Sequence, residues 1–206
     1  MQNTLASELE QRRRIGLFGG TFDPIHIGHL VMAAEAREAL DLDEIRMEVA
    51  GDPWQKSNNR QVTSAEVRFA MVEAAIGNRS WLTASRIEID RGGPTYTIDT
   101  VQHFLEVGCD VTVLVGVDAA NGLATWHRIS ELVKLCRFAV LSRPGAVLGQ
   151  LPAGCDFSVV DSTLMNVASA DLRAKVARGT SIDFVVPDPV IQIIRRESLY
   201  GGLTHD

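Results

Sequence analysis

His26 and His29 stand three residues apart in the stretch Gly19-Gly20-Thr21-Phe22-Asp23-Pro24-Ile25-His26-Ile27-Gly28-His29-Leu30. At that spacing, two imidazoles at the mouth of a helix reach the same oxygens as neutral or cationic donors. The apolar run Ile15-Gly16-Leu17-Phe18 precedes the stretch and an amphipathic run begins at Leu30, so it joins a buried strand to a helix. The glycines let backbone approach a ligand without a Cβ in the way, and unpaired N–H groups at the helix start favour an anion. The chemistry this predicts is that of phosphates, handled without a lysine-bearing P-loop.

Other polar residues fall where a strand ends or a helix begins. The breaker-rich loop from Ala50 to Asn59 puts Trp54 and Lys56 at a strand's carboxyl end, the edge at which open α/β sheets bind ligands; a solvated Lys and a loop-packing Trp also account for them. Thr95-Tyr96-Thr97 opens a helix that Thr95 or Thr97 can cap. Asp118 closes an apolar run and suits either a ribose hydroxyl or the start of a helix at Ala119. Trp126 suits either stacking on a planar ring or a place in the core. Ser169 reads as a helix cap, and Arg173, one turn along, is at the wrong end of the helix dipole unless an anion faces it.

Positioning these residues requires a sheet whose carboxyl ends gather along one edge. Strands are predicted to about Phe18 and over 45–49, 81–90, 110–118, 137–142 and 157–160. Helices are predicted over 30–40, over 66–76 after a Ser64 cap, from Thr95, over 169–178 before a Gly179 stop, and from Pro187. The first strand is apolar throughout, as a central strand covered on both faces should be. Alternation in Ile45-Arg46-Met47-Glu48-Val49 predicts one more polar face and a place further from the centre. Along the first helix Leu30, Ala33, Ala34, Ala36 and Leu40 form the apolar stripe. The alternation predicts an α/β fold, a Rossmann-like, doubly wound, mostly parallel sheet of five or six strands. Residues 1–13, running into Arg12-Arg13-Arg14, read as a solvated N-terminal extension, and 14–206 as one domain with a C-terminal helical part.

With 46% hydrophobic and 22% charged content, 206 residues can bury one sizeable core. A net charge of −6 with scattered Lys and Arg argues against a nucleic-acid polymer and leaves a nucleotide open. Cys109, Cys136 and Cys155 share no metal-ligand or CxxC spacing and read as reduced, buried thiols. Residues 1–11 lack the apolar core of a signal peptide and no later run is long enough to span a bilayer, so a cytoplasmic protein is expected; a homo-oligomer is compatible with the composition.

The stretch from Gly19 to His29 resembles the signature of the nucleotidylyltransferase superfamily, whose hallmark is the HxGH element. Pro53-Trp54-Gln55-Lys56, Gly93-Pro94-Thr95-Tyr96-Thr97-Ile98-Asp99-Thr100, Gly116-Val117-Asp118, Trp126 and Arg143-Pro144-Gly145 narrow the resemblance to the bacterial nicotinate-nucleotide adenylyltransferase family, over about Ile15 to Tyr200. The resemblance implies transfer of AMP from ATP to nicotinate mononucleotide, with direct attack on the α-phosphorus and no covalent enzyme intermediate. By that likeness His26 and His29 hold ATP phosphates and stabilise developing charge, while Gly19, Gly20, Thr21, Gly28 and Ser169 belong to the phosphate site. Arg173 grips the leaving phosphates. Lys56, Thr95, Tyr96, Thr97, Asp118 and Trp126 serve the acceptor, with Trp126 against the pyridine ring and Asp118 at a ribose. Mg²⁺ arrives with ATP, without an all-protein cage.

One motif departs from the family. Its ISSTxxR element stands here as Val167-Ala168-Ser169-Ala170-Asp171-Leu172-Arg173, which removes two hydroxyls worth roughly 1 kcal/mol each or somewhat more. Two other readings follow: nucleotidyl transfer to another phosphate such as phosphopantetheine, or a catalytically silent nucleotide sensor.

Overall fold

Chain alternation from strand to helix produces a six-stranded sheet in the computed structural model, which describes residues 12–53, 62–142, 145–163 and 165–201. Strands β1 (Arg13–Gly20), β2 (Glu44–Val49) and β3 (Leu82–Ser85) form one half, and β4 (Cys109–Gly116), β5 (Arg137–Ser142) and β6 (Phe157–Asp161) the other. Their spatial order is β3-β2-β1-β4-β5-β6 and every neighbouring pair is parallel. The chain leaves β1 for one edge and returns to β4 for the other. Connections therefore diverge between β1 and β4, and a crevice opens at their carboxyl ends.

Residues of β1 and β4 alternate between two apolar layers. Ile15, Leu17, Val111, Val113 and Val115 pack on one face with helices α4 (Thr97–Glu106) and α6 (Ile129–Leu135). Phe18 and Leu114 join the opposite layer with α1 (Ile27–Ala39), α2 (Ala65–Ile76), α7 (Ser169–Ala177) and α8 (Asp188–Arg196). Ser64 caps α2 as expected, accepting from the Val67 N–H at 3.4 Å.

Several local expectations are corrected. The alternating Ile87-Glu88-Ile89-Asp90 is not strand: the chain leaves the sheet after Ser85 and winds into the short helix α3 (Ile87–Arg91). There the Glu88 N–H donates to Glu48 Oε1 at 2.9 Å in place of a ladder partner. A five-residue helix is too short for its period to show. Helix α1 starts at Ile27, three residues before the apolar run, and Ala34 faces solvent. Strand β2 is covered on both faces, because Glu44 is paired with Arg13 at 2.9 Å and Arg46 at 2.7 Å, and Glu48 is buried against α3. Arg13 and Arg14 belong to β1, with Arg14 paired to Asp41 at 2.8 Å, so neither is part of a solvated extension. The three cysteines are half-buried free thiols. Residues Met1 to Gln11, Lys56 and its neighbours over 54–61, Arg143 and Pro144 lie outside the described residues. Among the described residues no helix is long and apolar enough to cross a membrane.

Arg68 of α2 is 1% exposed and ties the carboxyl edge together. It donates to the carbonyls of Thr63 at 2.8 Å, Thr21 at 2.9 Å and Ala50 at 2.7 Å, joining the loops after β1 and β2 to the helix start. Arg68→Leu keeps the apolar bulk but strips those carbonyls of their buried donor. The expected outcome is a loss of about 3 kcal/mol or more of unfolding free energy, measured by urea denaturation. A loss below about 1 kcal/mol would show that the clamp is not structural.

Candidate active site

The chain between β1 and α1 turns through Phe22, whose φ of 49° is left-handed, and a cis Asp23–Pro24 bond. His26, in extended conformation, is the N-cap of α1. Its backbone N–H donates to His29 Nδ1 at 3.2 Å, and the two rings stack at 3.7 Å with 30° between their planes. Because Nδ1 accepts, a neutral His29 carries its ring proton on Nε2. Phe22 supports that ring edge-on at 5.1 Å. His26 is 5% exposed, and burial pushes its pKa down to about 4, which keeps the imidazole neutral near pH 7. Gly28 suits this packing, since a Cβ there would lie 3.1 Å from His26 Nδ1 and press on the ring. A Cβ on Gly20 would lie 2.6 Å from the Phe22 ring.

Remote residues hold the loop from its protein side. Arg173 of α7 donates to the Asp23 carbonyl at 2.8 Å, and Ser169 Oγ donates to the Pro24 carbonyl at 2.9 Å. Ser169 therefore does not cap α7; Ala168 is the N-cap and no side chain caps that helix end. The Tyr200 hydroxyl donates to Asp23 Oδ1 at 2.6 Å, and burial together with the facing carboxylate pushes the phenol pKa upward. Asp23, Arg68 and Tyr200 carry no local sequence signal for these tasks.

A cavity of about 400 Å³ opens at the carboxyl ends of β1, β2 and β4. Gly19, Gly20 and Thr21 form one side, with Thr95, Tyr96 and Thr97 at the start of α4. Asp118 and Trp126 line it from the β4 side, together with His127, whose ring stacks on Tyr96 at 4.1 Å. Neither threonine caps α4. Tyr96 is the N-cap, and Thr95 Oγ1 instead accepts the Asp52 N–H at 3.2 Å. Asp118 lies within the short helix α5 (Val117–Asn121) behind a Gly116 N-cap, so it does not cap a helix beginning at Ala119. Trp126 is half-buried against the core layer and forms a wall of the cavity. His26, Gly28, His29, Ser169 and Arg173 are not among the cavity's lining residues; Ser169 and Arg173 instead hold the carbonyls of Pro24 and Asp23. His127, Glu48 and Glu88 also line the cavity and were not singled out from sequence.

A second depression beside the start of α7 is lined by Asn166, Val167, Ala168, Asp171, Lys175 and Arg178 among others. It includes Val167 and Ala168 of the ISSTxxR-like segment.

A model of the cytidylyltransferase-like family matches residues 17–184. The chain is 41% identical over 198 residues to the probable nicotinate-nucleotide adenylyltransferase of Leifsonia xyli subsp. xyli, covering 94% of this chain and 97% of that one. It is 42% identical over 188 residues to the probable nicotinate-nucleotide adenylyltransferase of Streptomyces coelicolor, covering 89% and 99%. Among solved structures, Plasmodium falciparum nicotinic acid mononucleotide adenylyltransferase complexed with NaAD matches with a TM-score of 0.74 at 18% identity, covering 92% and 98%, a likeness of fold.

The burial of His26 has a measurable consequence for stability. The native imidazole stays neutral down to about pH 4, whereas an unfolded one protonates near 6.5, so between those values the unfolded state binds more protons and stability rises with pH. Going from pH 7 to 4, this group is expected to remove about 3 kcal/mol of unfolding free energy. The same decline should be absent from His26→Gln. Parallel stability–pH curves for the two proteins would contradict the depressed pKa.

Proposed function

The chain belongs to the cytidylyltransferase-like family and, within it, to the nicotinate-nucleotide adenylyltransferases, and from that membership we propose how its residues perform the reaction. It transfers AMP from ATP to nicotinate mononucleotide, giving deamido-NAD and pyrophosphate in NAD biosynthesis. A phosphate oxygen of the mononucleotide attacks the α-phosphorus in line, and the bond to the bridging oxygen of the β-phosphate breaks. Such a transfer needs positioning and charge neutralisation more than a nucleophilic side chain.

The observation that carries the reading is the stacked His26–His29 pair at the N-terminus of α1, beside a glycine-walled cavity. His29, with its ring proton on Nε2, donates to the phosphate oxygens as charge develops, and His26 fixes its orientation through the backbone N–H. Gly19, Gly20 and Thr21 cradle the reacting phosphates. Arg173 is anchored by the Asp23 carbonyl and binds the leaving β- and γ-phosphates with the two-oxygen grip of a guanidinium. Ser169 serves the phosphate site by holding the Pro24 carbonyl.

On the acceptor side Trp126 stacks on the pyridine ring, backbone N–H groups of 95–97 meet its carboxylate, and Asp118 accepts from a ribose hydroxyl. Lys56, outside the described residues, assists at the mononucleotide phosphate. Mg²⁺ would arrive with the ATP phosphates. Bound there, the ion neutralises charge on the phosphates. Reduced thiols at Cys109, Cys136 and Cys155 agree with a cytoplasmic setting.

Pyrophosphate release with ATP and Mg²⁺ tests the reading against three acceptors: nicotinate mononucleotide, nicotinamide mononucleotide and phosphopantetheine. Release is expected with the first; release with phosphopantetheine alone would assign a different acceptor, and ATP binding without any release would indicate a sensor. In the same assay His29→Ala should lower kcat by at least ~100-fold while leaving the circular dichroism spectrum unchanged. Near-normal turnover would remove His29 from the mechanism. Trp126→Ala should raise the acceptor KM by about 10-fold at little cost to kcat. An unfolded Trp126→Ala protein would make that residue a core element instead.

A further inference from the structure

The acceptor cavity contains an acid pair that the phosphoryl transfer does not use. Glu48, near the end of β2, is 1% exposed, and Glu88 of α3 is 5% exposed, yet both line the cavity. Glu48 Oε1 accepts the Glu88 N–H at 2.9 Å, and Thr100 Oγ1 donates to Glu88 Oε1 at 3.0 Å. Glu48 Oε2 is buried and has no hydrogen-bond partner among the described residues. Asp52 and Asp118 also line the cavity, and the described lining residues include no Lys or Arg. A desolvated carboxylate oxygen in such surroundings calls for a proton or a cation. The acceptor brings a cation. Its ring nitrogen bears the ribose, which makes the ring a pyridinium with a full positive charge.

We propose that Glu48 and Glu88 form an anionic floor of the acceptor cavity that selects rings carrying positive charge, so that both are specificity-determining residues for N-ribosylpyridinium mononucleotides over neutral-ring ones. This rests on the acceptor reading above.

The surroundings of the pair set its charge. Arg91 of α3 and His103 of α4 face it, Arg91 being 3.7 Å from Asp99, and the hydroxyls of Ser85 and Thr95 lie beside it. Asp52, Asp118 and His127 share the cavity. Burial pushes both carboxyls up, and the neighbouring Glu48 charge helps to bring Glu88 to about 7. Near neutral pH Glu88 is thus only partly ionised, and the pair offers both negative charge and a proton that a pyridinium can displace. A bound cation favours the ionised pair, so its arrival drives a proton into solvent.

Calorimetry with an unreactive ATP analogue present tests this on the full chain, using nicotinate mononucleotide, nicotinamide mononucleotide and the 1,4-dihydro form of the latter. The dihydro form keeps the amide, ribose and phosphate but has a neutral ring. Wild-type protein should bind the oxidised nicotinamide form at least about 10-fold more tightly than the reduced form, a factor within reach of one desolvated charge pair. At pH 7 the oxidised form should also release more protons, read from titrations in two buffers of different ionisation heat. Glu48→Gln and Glu88→Gln should each shrink the preference at least about fivefold and abolish the extra proton release, with ATP affinity unchanged. Equal affinity for the two ring forms in wild type, or a preference intact in both variants, would overturn the proposal. Should a variant not fold, the wild-type comparison and its proton release still decide. Turnover of nicotinate mononucleotide with equal affinity for both ring forms removes charge selection alone, whereas no binding and no turnover of any of the three removes the acceptor reading itself.

Discussion

Everything at the catalytic edge depends on how the carbonyl groups between Gly20 and His26 are held. Arg68 takes the carbonyl of Thr21, Arg173 that of Asp23 and Ser169 that of Pro24, while Tyr200 fixes the Asp23 side chain. Ile27, just beyond, donates its N–H to the Val185 carbonyl at 2.9 Å. A glycine-led loop has many conformations to lose, and each bond contributes only about 1 kcal/mol net, so a single trajectory needs several of them. The stacked histidines inherit their precision from this frame, because His26 is both the last residue of the loop and the first cap of α1. Chemistry that works by positioning has little tolerance for a loop that wanders.

The altered ISSTxxR-like segment makes sense within the same frame. Ser169 keeps its hydroxyl where the Pro24 carbonyl requires it, and Arg173 keeps the guanidinium that the Asp23 carbonyl requires. Of the two positions that lack a hydroxyl, Ala168 lines the depression shared by Asp171, Lys175 and Arg178. The residues that define the loop are retained, and the change falls on the neighbouring surface.

Much of this was legible in the residues. The run from Ile15 to Leu30 declares strand, glycine loop and helix because each part is short-range, and alternation along the chain yields the parallel sheet with its switch point. What escaped is long-range. Ile87 to Asp90 alternates like a strand, yet a glutamate forty residues away captures the Glu88 N–H and the chain coils instead. Ser169 has the composition of a cap, but a carbonyl 145 residues distant outbids its own helix end. Arg68 sits on a helix that reads as ordinary from its cap and stop, and nothing nearby reveals that its partners are two other loops. Glu48 looks like the polar face of an exposed strand until α3 covers it.

Sequence separation also sets the order in which the site can come into being during synthesis. The glycine loop emerges from the ribosome among the first thirty residues, but Arg68 closes it across 47 positions, Ser169 across 145 and Tyr200 across 177. A nascent chain can complete β1 and α1 early and still lack the restraints that align the two imidazoles. Competence therefore arrives with the C-terminal turn and not with the motif itself, so the most recognisable stretch of the protein is one of the last to acquire its working geometry.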